Sequence, residues 1–286
     1  MDYKTILVHV DDGARCADRL GAAAAIARRS GAHVIGAALS GVSRFLYQAM
    51  PSEANDPTLA LHLDFLRERG RDALALFDGH MAASGVPSYE GRLIDDEAGA
   101  GISLHARAAD LVVIGQAEPG QATAPLMADF PAYVVIHSGR PVLLLPYAIG
   151  AADPGRHVLV SWDASREAAR AMQLAIPLLA RADSVTIAVF DTRSGTRTVA
   201  DATAADPVRY LARHGIQATL TVVPVEQKRG HRRHEVGDAL LTLASDRGAD
   251  LLVMGAYGHS RFRETILGGA TRTVLEGMTV PVLMAH

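Results

Sequence analysis

Residues Ala249–Gly255 read ADLLVMG, and Ala109–Gly115, 140 positions earlier, read ADLVVIG. Each run is followed, 26 residues after its glycine, by a Pro-Val-Leu segment, Pro141–Leu143 in one case and Pro281–Leu283 in the other. Closer to the front, Thr5–Asp12 reads TILVHVDD and His157–Ala164, offset by 152, reads HVLVSWDA. Landmarks that recur in one order indicate a duplicated domain of about 130–150 residues, an ordinary domain size. The expected units are residues 1–147 and 156–286, joined through the small-residue stretch Ala148–Gly155, AIGAADPG.

Strands and helices alternate within each unit. In the first, strands are expected at Ile6–Val10, Val34–Leu39, Tyr89–Ile94, Leu111–Ile114 and Val142–Leu145, with helices at Ala14–Arg29, Leu59–Ser84 and Gly101–Ala108. In the second, strands are expected at Val158–Trp162, Val185–Phe190, Ala218–Val223, Leu251–Met254 and Val282–Ala285, with helices at Ser165–Ala180, Pro207–His214 and Gly237–Arg247. Strands that are almost continuously Val, Leu and Ile belong to parallel sheets covered on both sides. The expected fold is therefore α/β: two repeated Rossmann-like domains, each an open, mainly parallel five-stranded sheet with helices on both faces. The offset between landmarks changes along the chain, which marks two insertions, Gly41–Pro57 in the first half and Val225–His234 in the second.

The chain has 286 residues, 49% of them hydrophobic and 21% charged, with a formal net charge of −3. That balance supports a substantial core and gives no global drive toward nucleic acid or anionic membrane. A single cysteine, Cys16, excludes an intramolecular disulfide. The opening MDYKTILVHVDDG has neither the basic nor the apolar region of a signal peptide, and no apolar stretch is long enough for a membrane span. A soluble, cytoplasmic protein is expected. The histidines show no HxxxH or HExxH arrangement with nearby acids, so no metal site is expected.

After Leu251–Met254 the chain enters GAYGHSRFRETILGGATRT, with glycines at 255, 258, 268 and 269. A strand opening into a glycine-rich loop and then a helix lets backbone N–H groups approach a phosphate. The spacing is neither GxxxxGK[ST] nor GxGxxG. It resembles the G-x2-G-x9-G-[ST] loop of the universal stress protein family, and Asp163 within VLVSWDASREAA and the PVLMAH strand extend the likeness. The resemblance implies that ATP, with or without Mg²⁺, is held with Asp163 and Phe190 at the adenosine. Met254, Gly255 and Gly258 would line the loop, and Gly268, Gly269, Ala270 and Thr271 would form the phosphate-facing helix start. Position 269 is glycine where the family's nucleotide binders carry Ser or Thr, which removes one neutral hydrogen bond of about 0.5–1.5 kcal/mol. The resemblance also implies no dedicated catalytic group, leaves slow ATP hydrolysis open, and implies that the halves pair as a pseudo-dimer through Val142–Leu145 and Val282–Ala285. Dimerisation of the whole chain and the identity of a protein partner stay open.

The first half is an internal control. Aligned at offset 140, Gly258 faces Glu118, Gly268 faces Ala128, Gly269 faces Asp129 and Thr271 faces Pro131. Two carboxylates in place of approach glycines would repel a triphosphate, so no nucleotide is expected there. Simpler readings compete. Asp163 could cap the helix near Ser165, as Asp11 or Asp12 would in the first half. Trp162 reads as packed beside the sheet, and the basic run Lys228–His234 as a solvated loop. An adaptor without nucleotide is the alternative function. No nucleophile elbow or nucleotidyl-transfer motif supports an enzyme.

Overall fold

Every apolar run that reads as a strand forms one in the computed structural model, which describes residues 2–41, 57–117, 129–148, 153–191, 205–225, 232–258 and 269–286. The first half contributes β1 (Thr5–Val10), β2 (His33–Leu39), β3 (Tyr89–Ile94), β4 (Leu111–Gly115) and β5 (Val142–Leu145). The second contributes β6 (His157–Ser161), β7 (Ser184–Asp191), β8 (Ala218–Pro224), β9 (Leu251–Gly255) and β10 (Val282–Ala285). Between them lie the helices α1 (Cys16–Ser30), α2 (Pro57–Ala83), α3 (Ala98–Ala106) and α4 (Phe130–His137) of the first half. The second half has α5 (Arg166–Leu174), α6 (Ile176–Leu179), α7 (Ala205–Arg213), α8 (Arg232–Asp246) and α9 (Gly269–Gly277).

The strands form one ten-stranded sheet in the order β3-β2-β1-β4-β5-β10-β9-β6-β7-β8. All neighbours are parallel except β5 and β10, which pair antiparallel with Leu143 opposite Leu283. The expected edge-to-edge junction of the halves is thus present. Residues of α1, α2, α5, α6 and α7, among them Leu20, Phe77, Met172, Leu178 and Leu211, cover one face of the sheet. Ile102 of α3, Val134 of α4, Leu240 of α8 and Val274 of α9 cover the other. Close contact is built into the strands: a Cβ on Gly36 of β2 would lie 2.8 Å from the buried Phe77 ring, so the long α2 can settle on the sheet only over a glycine.

Three elements differ from the sequence expectation. The helix expected at Ser165–Ala180 is broken into α5 and α6, because Pro177 has no N–H and its ring crowds the preceding turn. Helix α8 starts at Arg232, so Arg232–His234 belong to a helix rather than to the expected loop. No helix was expected between β4 and β5, yet α4 is there: FPAYVVIH is short and apolar all round, which leaves no periodicity to read. Residues 42–56 of the first insertion, 226–231 of the second and 149–152 of the linker lie outside the described residues. Among the described residues no helix is long and apolar enough to cross a membrane.

Leu143 and Leu283 are fully buried at the junction. Leu283→Ala should therefore cost about 2–5 kcal/mol. In urea, the far-UV signal of the whole chain and the fluorescence of Trp162 should shift together; two separated transitions would show that the halves stand independently.

Candidate functional site

In the second half the winding reverses between β6 and β9, which are neighbours in the sheet but lead to opposite flanks. Ligand crevices in such sheets open at the carboxyl ends of those strands. Asp163 lies just past β6 and is exposed; its Oδ1 accepts a hydrogen bond from Ser165 N–H at 2.9 Å. The residue between them, Ala164, has φ 62°, a left-handed conformation that a non-glycine residue holds only when the turn demands it. Ser165 is the N-cap of α5, its Oγ accepting from Ala168 N–H at 3.1 Å. Asp163 therefore shapes the turn that launches α5 while remaining an exposed residue. Trp162 packs, half-buried, on the α5 side of the sheet, as expected.

The glycines have more specific work than loop flexibility. A Cβ on Gly255 would lie 2.5 Å from the Glu167 carbonyl carbon, so the first turn of α5 rests directly on the end of β9. A Cβ on Gly258 would lie 2.7 Å from Oε2 of Glu167 and 3.4 Å from Cβ of Ser165. The space that Gly258 leaves free faces a carboxylate. Glu167 is buried, and its Oε1 accepts from Arg166 at 3.0 Å, whose own side chain is 92% exposed. Sequence reading missed Glu167; its four-residue spacing from the buried Ala171 on one helical stripe was the available signal.

Met254 is buried in the apolar layer against which Phe190 packs half-buried. Gly269 opens α9, and its carbonyl accepts from Thr273 Oγ1 at 2.9 Å. Ala270 follows it, half-buried, while Thr271 is buried and its Oγ1 accepts from Tyr257 N–H at 3.4 Å. Thr271 thus ties the helix start to the loop, with Tyr257 held at φ 61° between them. Burial pushes the Tyr257 hydroxyl up to about 12, with Asp129 of the first half adding to the effect. Gly268 lies outside the described residues. The structure brings Asp163, Ser165, Glu167, Gly255 and Gly258 together at one turn, and Tyr257 with Thr271 at the next. Among the described residues no group of three or more His, Cys, Asp or Glu side chains could hold a metal ion.

The corresponding position of the first half carries different charge. Asp11, the counterpart of Asp163, makes the same turn by accepting from Gly13 N–H at 2.9 Å. Its carboxylate, however, pairs with the buried Arg19 guanidinium at 2.6 Å. Arg19 Nε donates to the His9 carbonyl at 3.2 Å, and its Nη1 lies 3.0 Å from where a Cβ on Gly115 would be. The His9 ring sits 5.0 Å from the ring of Phe130, which with Pro131 is buried at the start of α4 behind Asp129. A guanidinium and two rings thus gather beside the carboxyl ends of β1 and β4. Burial would raise the Asp11 pKa, but Arg19 and His9 outweigh it and hold the carboxyl below its usual value.

Burial lowers the His9 pKa to about 4, Arg19 reinforcing the effect and Asp11 opposing it. Between its ordinary value near 6.5 and about 4, the unfolded chain binds a proton that the folded chain refuses. Folding stability should accordingly be full above pH 6.5 and fall by up to roughly 3 kcal/mol as pH drops toward 4. Chemical denaturation across that window should show the slope, and His9→Gln should flatten it.

The sequence pattern of the Universal stress protein family matches residues 2–146 and 155–286. A universal stress protein of Synechocystis sp. (strain ATCC 27184 / PCC 6803 / Kazusa), Slr1230, is 30% identical over 128 residues, 44% of this chain but only 41% of that relative. In three dimensions a universal stress protein from Archaeoglobus fulgidus DSM 4304 superposes with a TM-score of 0.70 at 16% identity, covering 98% of this chain and 95% of its own. A functionally unknown protein, PA1789, from Pseudomonas aeruginosa PAO1 follows at 0.60 and 14%, covering 99% and 92%. At those identities the two structures speak to the fold. The family pattern spans both halves, and the chain belongs to the universal stress protein family.

Proposed function

We propose that the second half, residues 156–286, binds ATP or a related adenine nucleotide without dedicated catalysis, and that the first, residues 1–147, does not. The observation that carries this reading is the contrast between two equivalent strand ends. Asp163 is exposed at the turn before α5, whereas Asp11 is paired with a buried Arg19. In the second half, Asp163 would accept hydrogen bonds from the ribose hydroxyls, and Phe190 and Met254 would present an apolar wall to the base. Gly258 and Gly268 would let the backbone approach the phosphates, and Gly255 would seat the first turn of α5 against the loop. Gly269, Ala270 and Thr271 would offer the unpaired amides of the α9 N-terminus, which favour an anion. Mg²⁺ would enter with the phosphates rather than through a protein ligand set. The protein is then a cytoplasmic stress-response protein that reports nucleotide to a partner. Cys16 gives no support to nucleophilic chemistry, since burial raises its pKa despite Arg19 nearby.

A second reading, an adaptor without nucleotide, draws on Glu167. Its buried carboxylate supplies a reason for Gly258 that needs no phosphate, and it adds negative charge beneath the loop. Two measurements separate the readings: chromatography of small molecules released from the denatured protein, and calorimetric titration with ATP and Mg²⁺. About one adenine nucleotide per chain is expected. Gly269→Asp copies Asp129 and suits the helix dipole while repelling phosphate; together with Gly258→Glu it reproduces the first half. Either variant should weaken ATP at least about tenfold, or 1.4 kcal/mol, with an unchanged far-UV spectrum. Equal affinity in both would overturn the site assignment.

A further inference from the structure

Helix α9 is held at its far end by a residue of the other half. Gln116 follows β4 and is buried, with its backbone N–H donating to Leu145 O at 2.8 Å. Its side-chain Oε1 accepts from Tyr147 N–H at 3.1 Å. Its Nε2 donates to Leu275 O at 2.8 Å and to Glu276 O at 3.2 Å. Those two carbonyls belong to the last turn of α9, where a helix has no internal donors to offer. Gln116 is therefore a C-terminal cap supplied across the junction. Its counterpart at offset 140 is Ala256, whose methyl group cannot donate and whose carbonyl instead accepts from His286 at 3.0 Å. The first half thus reaches the last turn of α9, while in return Arg170 of α5 donates to the Gly139 carbonyl, just past the end of α4, at 3.0 Å.

The sheet explains how one helix serves both ends. Because β5 and β10 are antiparallel, the carboxyl ends of the two halves face opposite ends of the shared sheet. Helix α9 precedes β10, so it starts at the second-half crevice and finishes beside the first-half strand ends, where Gln116 sits. It has only nine residues, roughly 13 Å of helix, and a helix that short has little stability of its own. Its position comes from what holds it: Thr271 to Tyr257 at the front, and Gly237 of α8 beneath Thr273, where an added Cβ would come within 2.6 Å. Gln116 completes the set at the back.

We propose that Gln116 is a positioning residue for ligand binding in the second half: by capping the last turn of α9 it fixes where the N-terminal amides of that helix point. The first half then acts as the buttress of its twin's site, and ligand binding and the junction between halves are thermodynamically linked. This rests on the reading of the second half as the nucleotide site.

Gln116→Glu isolates the contact, since the carboxylate keeps an acceptor for Tyr147 N–H and sets an acceptor against the two carbonyls. Wild type, Gln116→Glu and Gln116→Ala are to be compared by calorimetry with ATP and Mg²⁺, by thermal unfolding, and by hydrogen exchange of amides 270–277. The expected result is at least tenfold weaker ATP binding in Gln116→Glu, measured well below its melting temperature. Exchange in α9 should be at least tenfold faster, with Gln116→Ala intermediate on both scales. A lower melting temperature with unchanged affinity and unchanged α9 exchange would overturn the proposal. If wild type binds no nucleotide, the nucleotide reading falls and exchange alone decides: acceleration confined to α9 upholds the positioning role, and none overturns it.

Discussion

Val142–Leu145 and Val282–Ala285 are four-residue strands of VLLL and VLMA, buried at every position. Neither could serve as a sheet edge in water, because an uncharged apolar edge with unpaired backbone invites pairing with whatever comes near. Joining them antiparallel removes both edges at once and makes a single ten-stranded sheet from two halves. The remaining outer strands differ in how they meet solvent. Strand β3 carries Glu90 and Arg92, paired with each other, while β8 has no charged residue and leaves Val222 exposed. The junction is also the reason the halves cannot be treated as beads on a string. Tyr3 donates to the carbonyl of Leu174 at 2.7 Å and Arg29 pairs with Asp153 at 2.7 Å, so the helix layer above the sheet is stitched across the same line.

Much of this architecture is legible in the residues because its signals are local or repeated. ADLVVIG and ADLLVMG are strands in any context that buries them, and two copies at similar spacing name the duplication. The β5–β10 pairing comes from the family resemblance rather than from the residues, since an apolar four-residue strand does not name its partner. What escapes are features set by a neighbour distant in sequence. Helix α4 is invisible because all its sides are apolar. The carboxylate of Glu167 is hidden as an ordinary helix-start acid until α5 is laid against Gly255 and Gly258. The same holds for Arg19, whose burial is implied only weakly by its place one residue before the core residue Leu20.

The two glycines that close β4 and β9 make the point chemically. Gly115 and Gly255 occupy the same place in each half, and each must lack a side chain, but for different reasons. At Gly255 the backbone of Glu167 and Ala168 takes the space; at Gly115 it is the Arg19 guanidinium. A glycine marks that something approaches closely without saying what. Assigning such a position to phosphate therefore needs the charge around it as well as the spacing.

Asp11 and Asp163 complete that argument. Both accept a hydrogen bond from the N–H two residues on, so both satisfy the simple role of organising the turn before a helix. If the turn were all that mattered, their surroundings would be interchangeable. Instead one carboxylate is paired with a guanidinium from within its own half, and opening that pair is costly because it leaves the buried Arg19 charge desolvated. The other is exposed, at a turn against which Gly255 and Gly258 pack without side chains. Duplication has thus produced two strand ends with the same turn and different charge around it. The first half keeps its sheet, its junction strand and Gln116, the parts through which it bears on the second.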